Sequence, residues 1–179
     1  MTDSDLQTKR LIAAAIDAAV YVAIVFGFWV LGAGAMFAGS YASGGSFAVA
    51  TVVPRVLEFI GAALAVGYVL CRDIFAGGRS FGKKTQGIRV VDAAGGSLSL
   101  VDSAKRNGVF AISGAFGLLS ATLGLVPVLG DIARCLIFPL TVLGWLAGLT
   151  IAVIEIIKIL QEPDGVRLGD QFAGTRVVK

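Results

Sequence analysis

Four long apolar stretches dominate this sequence and restrict what the chain can fold into. They cover residues 11–37, 53–75, 107–125 and 136–160. A helix needs about 20 apolar residues to cross the hydrocarbon core of a bilayer, and each stretch is close to that length or longer. We therefore predict an all-α membrane protein, a bundle of four transmembrane helices in a single domain that covers residues 1–179. The segment 126–135, which holds Pro127 and Gly130, is predicted to be a turn.

The composition supports a membrane protein and excludes several other classes. Only 15% of the 179 residues are charged, whereas a soluble domain carries about 25%. These charges are too few to cover a surface that faces water on every side. The sequence has no histidine, and Cys71 and Cys135 do not have the spacing of a metal site. We expect no enzymatic activity, no cofactor, no bound metal and no nucleic-acid partner.

The basic residues predict which side of the membrane each loop occupies. Of the 15 Lys and Arg residues, 13 lie near Lys9, in the loop 72–106, or from Lys158 onwards. With four helices these three segments share one side, which the positive-inside rule assigns to the cytoplasm. We expect a multi-pass protein of the cell membrane with both termini and this loop cytoplasmic, and with the uncharged loop 38–52 outside. Its partners are then the bilayer and, at the cytoplasmic face, anionic lipid headgroups.

Two parts of the chain resemble each other. Residues 82–91 and 169–178 are identical at five of ten positions, in the pattern Gly-x4-Gly-x-Arg-Val-Val. A Lys-Arg pair that begins at Lys9 or Lys105 opens the segment before each block. The pattern predicts two parallel two-helix repeats, each closing with a short strand, and the two strands would pair antiparallel in a small cytoplasmic β element. Chance similarity, with two unrelated loops at the membrane surface, is the alternative.

Asp17 is an acid inside the first apolar stretch. A charged side chain deep in a bilayer costs about 2.5–3.5 kcal/mol on insertion scales, so such a residue usually faces the bundle interior and has a partner. One hypothesis is structural: Arg10, Arg106 or donors at a helix end hold Asp17, and we predict a buried charge pair with one of the two arginines. The other hypothesis is functional, with Asp17 as a cation or proton site.

Other charged residues near the apolar stretches have a simpler interpretation. Glu155 and Lys158 are three residues apart, as are Arg55 and Glu58. Each pair is predicted to form an ion pair along one helix face at the membrane interface. Passage of protons or cations would instead need a chain of acids from Asp17 through Glu155 to Glu58.

Small residues recur at four-residue intervals in the last two apolar stretches. They are Ser113, Gly117 and Ala121 in one, and Gly144, Gly148 and Ala152 in the other. Such spacing lets membrane helices approach closely, so we predict that these two helices pack on each other. A homodimer seam is the alternative.

Several of these residues together resemble the RDD family of small membrane proteins. The resemblance rests on Arg10 at the start of the first helix, Asp17 within it, and the segments 82–92 and 168–175. By this match the family's arginine is Arg10, its first aspartate is Asp17 and its second is Asp170. The resemblance implies transport of an unidentified ligand and, for some members, sodium/proton antiport.

Two functions are compatible with this sequence. The first is a transporter of a small ion or solute, in the form of cation/proton exchange with Asp17 as the exchanging carboxylate. The second is a membrane scaffold or assembly subunit that docks partners through its basic cytoplasmic loops. The resemblance favours transport, whereas the lack of a clear chain of intramembrane acids favours the scaffold.

Asp170 follows the first glycine of the second closing motif, where the first repeat has Lys83. It lies near the predicted cytoplasmic ends of the helices that contain Arg10 and Arg106. We therefore predict that Asp170 accepts hydrogen bonds from one of these arginines or from backbone N–H groups of its own turn. An arginine is the better partner than Lys83, because its planar guanidinium matches a carboxylate bidentately. An exposed turn aspartate without a further partner is the alternative.

The predicted orientation can be tested by labelling single cysteines on intact cells with a membrane-impermeant thiol reagent, in a background without Cys71 and Cys135. Ser97→Cys, in the basic loop, should stay unmodified, because it would face the cytoplasm. Ser43→Cys, in the uncharged loop, should be modified. The reverse pattern would contradict the topology.

Overall fold

The computed structural model describes residues 3–41, 48–161 and 167–178, and it is mostly helical. The elements in chain order are α1 (Asp3–Tyr41), a π-helical segment (Ala48–Val52), α2 (Val53–Cys71), α3 (Phe81–Thr85), β1 (Arg89–Asp92), α4 (Leu100–Leu123), α5 (Leu129–Gln161), α6 (Leu168–Ala173) and β2 (Thr175–Val178). The loop predicted to lie outside, 38–52, falls partly beyond the described residues, and Ser43 falls there with it.

Within the described residues, three segments are long and apolar enough to cross a membrane. They are Asp5–Tyr41, Val49–Cys71 and Leu129–Gln161. In their most apolar windows only 11%, 11% and 6% of the residues are buried inside the protein, so apolar side chains such as Trp29 and Phe138 are exposed. Exposed apolar helices of this length fit contact with lipid. The helix α4 has 24 residues but is less apolar, and its membrane crossing stays a prediction.

The turn between α4 and α5 is shorter than the sequence predicts. It covers residues 124–128 instead of 126–135, because α5 begins at Leu129. Val128 has a positive φ of 67°, which reverses the chain immediately after Pro127. Asp131 then lies in the first turn of α5, where a negative charge is favoured by the helix dipole.

The described chain divides into two compact units. One of them contains residues 22–66 and 113–146. In this unit, Arg55 of α2 pairs with Asp131 of α5 at 2.7 Å, and Glu58 of α2 pairs with Arg134 of α5 at 2.7 Å. The predicted pair between Arg55 and Glu58 is therefore wrong, because α5 offers each residue an opposite charge at the same three-residue spacing.

Close packing of α4 and α5 in this unit involves one of the predicted small residues. A Cβ atom at Gly144 would lie 2.7 Å from a ring carbon of Phe116. The absence of a side chain at Gly144 therefore lets the Phe116 ring approach α5. This contact supports the predicted packing of the two helices on each other.

The other unit contains residues 1–21, 67–112 and 147–179. Here β1 and β2 pair antiparallel, with Val90 opposite Val177. Both valines are buried with Ile88 and with Ala13 of α1, which places the sheet against the first part of α1. The predicted antiparallel pairing is present, and its cytoplasmic location stays a prediction.

Two glycines let the short helices α3 and α6 lie directly against longer helices. A Cβ atom at Gly82 would collide with the carbonyl oxygen of Ala13 in α1, and one at Gly169 would collide with that of Arg106 in α4. Backbone oxygens cannot move aside as a flexible side chain can, so both approaches require glycine. They also position the next residue of each short helix, Lys83 or Asp170, beside the charged groups of the same unit.

Candidate functional site

A cluster of buried charged side chains lies in the unit that contains the sheet. Asp170, in the first turn of α6, receives Arg10 Nη2 at 2.9 Å and Arg106 Nη1 at 2.5 Å, one on each carboxylate oxygen. The backbone N–H of Arg167 also donates to Asp170, at 3.2 Å. Asp170 is almost fully buried. The prediction that arginine, and not Lys83, holds this carboxylate is confirmed.

Asp73 is the second buried carboxylate of the cluster and lies just after α2. One of its oxygens pairs with the ammonium of Lys83. The other lies 3.1 Å from Arg106 Nε and accepts a hydrogen bond from Asn107 Nδ2 at 2.9 Å. The side-chain oxygen of Asn107 accepts two hydrogen bonds from Arg72, at 3.1 and 2.7 Å. Asn107 therefore joins a further cation to the surroundings of Asp73.

Arg106 links the two carboxylates, because its Nε faces Asp73 and its Nη1 faces Asp170. Burial alone would raise the pKa of Asp73, but the adjacent cations of Lys83 and Arg106 outweigh it and hold this pKa far below its usual range. Burial is likewise outweighed at Asp170, where Arg106 and Arg167 lower the pKa of the carboxyl. Both carboxylates are therefore ionised at neutral pH.

Asp17 of α1 is held in a different way, by uncharged donors. Its Oδ2 accepts a hydrogen bond from Ser80 Oγ at 2.5 Å. Its Oδ1 accepts from the backbone N–H of Gly82 at 2.8 Å and from the Tyr68 hydroxyl at 3.1 Å. Ser80 is the N-cap of α3, and Gly82 lies in the first turn of that helix. Donors at a helix end thus satisfy a carboxylate that is 2% exposed.

The predicted charge pair between Asp17 and Arg10 or Arg106 is wrong. Across residues 3–41, 48–161 and 167–178, Asp17 forms no ion pair, and its contacts are the three hydrogen bonds above. The close approach of α6 to α4 at Gly169 brings Asp170 to both arginines. The start of α3 supplies Asp17 with neutral donors instead.

Glu155 of α5 is buried and faces α6. Its Oε1 accepts a hydrogen bond from the backbone N–H of Gly169 at 3.2 Å, and its Oε2 lies 3.8 Å from Arg167 Nε. The predicted ion pair with Lys158 is not among the ion pairs of the described chain, because Glu155 is turned towards the backbone of α6. Glu58, the third acid considered above, belongs to the other unit.

A small cavity of about 20 Å³ lies beside Asp17. It is lined by four cations, one carboxylate and four apolar residues: Arg10, Arg72, Lys83, Arg167, Asp17, Ala13, Ala14, Ile88 and Val177. A water molecule needs about 10–15 Å³, so this space suits a ligand of very few atoms. No group of three or more acidic, Cys or His side chains that could hold a metal occurs among the residues with a described position.

Four residues of the site are not predicted by the sequence: Asp73, Asn107, Ser80 and Tyr68. Asp73 follows Arg72 near the end of one apolar stretch, and Asn107 follows Arg106 at the start of the next. A polar residue next to an arginine at the boundary of an apolar stretch is the pattern that would have predicted both residues. Ser80 and Tyr68 are uncharged, and nothing in their spacing points to Asp17.

Replacing Asp170 by asparagine keeps the shape of the side chain and removes the charge that balances Arg10 and Arg106. Removal of one partner of a buried ion pair costs about 3–5 kcal/mol. The free energy of unfolding of Asp170→Asn should fall by that amount, as measured by SDS titration in mixed micelles. Asp5→Asn is the control, because the Asp5–Lys9 pair at 3.6 Å is partly exposed and worth about 0–1 kcal/mol. Equal losses in the two variants would contradict this role of Asp170.

The sequence matches one known family. The sequence model of the RDD family matches residues 7–174, nearly the whole chain. No curated protein and no solved structure matches the chain. The three residues on which the resemblance rests, Arg10, Asp17 and Asp170, are all buried in the cluster. The chain belongs to the RDD family.

Proposed function

We propose that this protein is a membrane transporter of a small ion or solute in which Asp17 takes up and releases a proton. The observation that carries the proposal is the contrast between Asp17 and the other aspartates of the cluster. Asp73 and Asp170 each contact at least two cations, so protonating either one breaks ion pairs. Asp17 is bound by neutral donors and lines a cavity, so protonating it breaks no ion pair in the described chain.

The hydrogen bonds of Asp17 suit both of its protonation states. The ionised carboxylate accepts from Ser80, Gly82 and Tyr68. A protonated carboxyl group becomes a donor at one oxygen, so one neighbour has to accept instead of donate. A hydroxyl group does both, and Ser80 Oγ at 2.5 Å can turn its own hydrogen away and accept that proton. An arginine in the same place could not, because a guanidinium has no acceptor.

The proposal includes an arrangement in the cell membrane. The helix α4 is the fourth crossing, and both termini, the segment 72–106 and the two-stranded sheet lie on the cytoplasmic side. The proposed arrangement also includes two parallel repeats. Gly82 and Gly169 support them, because each glycine lets a short helix lie against a long one. In each half, the short helix that begins near this glycine contacts a long helix and is followed by one strand of the sheet.

A membrane scaffold is the second candidate function. The exposed basic residues of the unit that contains the sheet favour it. Lys84, Arg89, Lys105 and Arg176 are exposed. In the proposed orientation they face the cytoplasm, where they would attract anionic lipid headgroups or an acidic partner protein. This candidate needs no change in the protonation of Asp17.

Ion flux in proteoliposomes distinguishes the two candidates. With a pH-sensitive dye inside, gradients of Na⁺, K⁺ and Cl⁻ are imposed in turn. The wild-type protein should move protons in response to one of them, and Asp17→Asn should reduce that flux about tenfold or more with little change in melting temperature. Cation/proton exchange, the form inferred from the sequence, predicts a response to Na⁺ or K⁺. Asp5→Asn is the charge-matched control and should keep the wild-type flux.

Two results would contradict the transporter proposal. Wild-type flux in Asp17→Asn would show that Asp17 carries no proton in the cycle. No proton movement by the wild-type protein under any of the three gradients would favour the scaffold. Retention on vesicles with anionic headgroups, reduced by Lys84→Gln and Arg89→Gln, would then support the scaffold directly.

A further inference from the structure

The cavity beside Asp17 has a positively charged wall. Four of its nine lining residues are cations and one is a carboxylate. Arg10 and Lys83 already have aspartate partners, which are Asp170 and Asp73 respectively. The cavity therefore combines two paired cations with two others, Arg72 and Arg167, which are less completely neutralised.

Arg72 and Arg167 retain donor capacity. Arg72 uses Nε and Nη2 on Asn107, a neutral residue. Arg167 has two carboxylates nearby, but each is 3.8 Å from its Nε, beyond hydrogen-bond distance. Within the described ranges, neither the Nη1 group of Arg72 nor the guanidinium of Arg167 makes a further hydrogen bond.

Among the residues with a described position, the cluster contains more positive than negative groups. Its cations in the described part of the chain are Arg10, Arg72, Lys83, Arg106 and Arg167, and its carboxylates are Asp17, Asp73, Glu155 and Asp170. Five cations thus face four carboxylates. Charges removed from water are costly unless an opposite charge accompanies them. A negative charge in the cavity would reduce this excess.

We propose that this cavity binds a small monovalent anion, of the size of a halide, between Arg72 and Arg167 and next to Asp17. The volume of about 20 Å³ exceeds the about 10–15 Å³ that a water molecule needs, so it has room for one such ion. The apolar wall made by Ala13, Ala14 and Val177 gives the ion a surrounding of low polarity, in which attraction to the arginines is stronger than in water. The inference rests on the proposed function in one respect: it names the transported substrate as an anion that moves with the proton.

Anion and proton should bind together. An ionised Asp17 repels an anion in the same cavity, whereas a protonated Asp17 does not, so each ligand raises the affinity for the other by the same factor. Removal of the charge on Asp17 should therefore tighten anion binding. The other titratable or charged groups around Asp17 and its cavity are Arg10 of α1, Tyr68 of α2, Arg72 after α2, Lys83 of α3 and Arg167 before α6.

The test is a halide titration of the full chain in a neutral detergent. Sodium bromide or chloride replaces sodium gluconate at constant ionic strength, and binding is followed by the melting temperature and by the line width of the ³⁵Cl resonance. The wild-type protein should show a saturable effect. Arg72→Gln should weaken binding about tenfold, whereas Lys84→Gln, which changes an exposed neighbour of Lys83, should leave it unchanged.

The halide affinity of Asp17→Asn separates a role of Asp17 in the anion site from a merely structural role. The variant should bind halide more tightly than the wild-type protein, because the charge that repels the anion is absent. If Arg72→Gln does not fold, Arg167→Gln takes its place with the same expected loss. No saturable halide effect on the wild-type protein would overturn the inference.

Failure of this inference and failure of the transporter proposal give different results. Halide binding without proton movement in proteoliposomes would keep the anion site and contradict transport. Proton movement driven by Na⁺ or K⁺ without halide binding would keep transport and overturn the anion site. Proton movement that requires chloride and is lost in Asp17→Asn would support both.

Discussion

The contact of one guanidinium with two carboxylates underlies the unit that contains the sheet. Arg106 reaches Asp73, just after α2, and Asp170, in α6. It is 1% exposed, and a buried charge is tolerated only where opposite charges surround it. Without Asp73 and Asp170, the burial of Arg106 would cost too much free energy. Without Arg106, both aspartates would lose the cation that they share. The position of α6, and of β2 that follows it, depends on this arrangement.

The buried aspartates of this unit differ in whether their partners are charged or neutral. Asp73 and Asp170 are surrounded by cations that keep them ionised, and this suits a structural role. Asp17 is equally buried, but its contacts are two hydroxyl groups and one backbone N–H. A carboxylate whose hydrogen-bond donors are neutral can exchange a proton without breaking an ion pair. This difference is the basis of the proposed proton exchange at Asp17.

Membrane character and the paired strands follow from sequence patterns that extend over many residues. The arginine partners of Asp170 could be predicted, because a ten-residue motif recurs. The second copy of this motif places Asp170 near the ends of the two helices that contain Arg10 and Arg106. The partners of Asp17 were not, since Ser80 and Tyr68 carry no charge and α3 is only five residues long.

The errors share one physical cause, which is that packing brings better partners than the local sequence offers. Neighbours at three-residue spacing, such as Glu155 and Lys158, look like ion pairs on an isolated helix. The structure instead directs Glu155 to the backbone of α6, because Gly169 lets that helix approach closely. Arg55 and Glu58 likewise find opposite charges on α5. Such contacts depend on which helices pack against each other. The sequence of a single helix does not show which helices these are.

A double-mutant cycle between Arg106 and Asp170 tests most directly whether this ion pair organises the unit. The free energies of unfolding of Arg106→Gln, Asp170→Asn and the double variant are measured by SDS titration. Groups in contact are coupled by about 0.5–3 kcal/mol. The double variant should therefore lose less stability than the two single variants together, by an amount in that range, while the cycle of Lys84→Gln with Asp170→Asn should be additive. Additive losses for Arg106 and Asp170, within about 0.5 kcal/mol, would contradict the account.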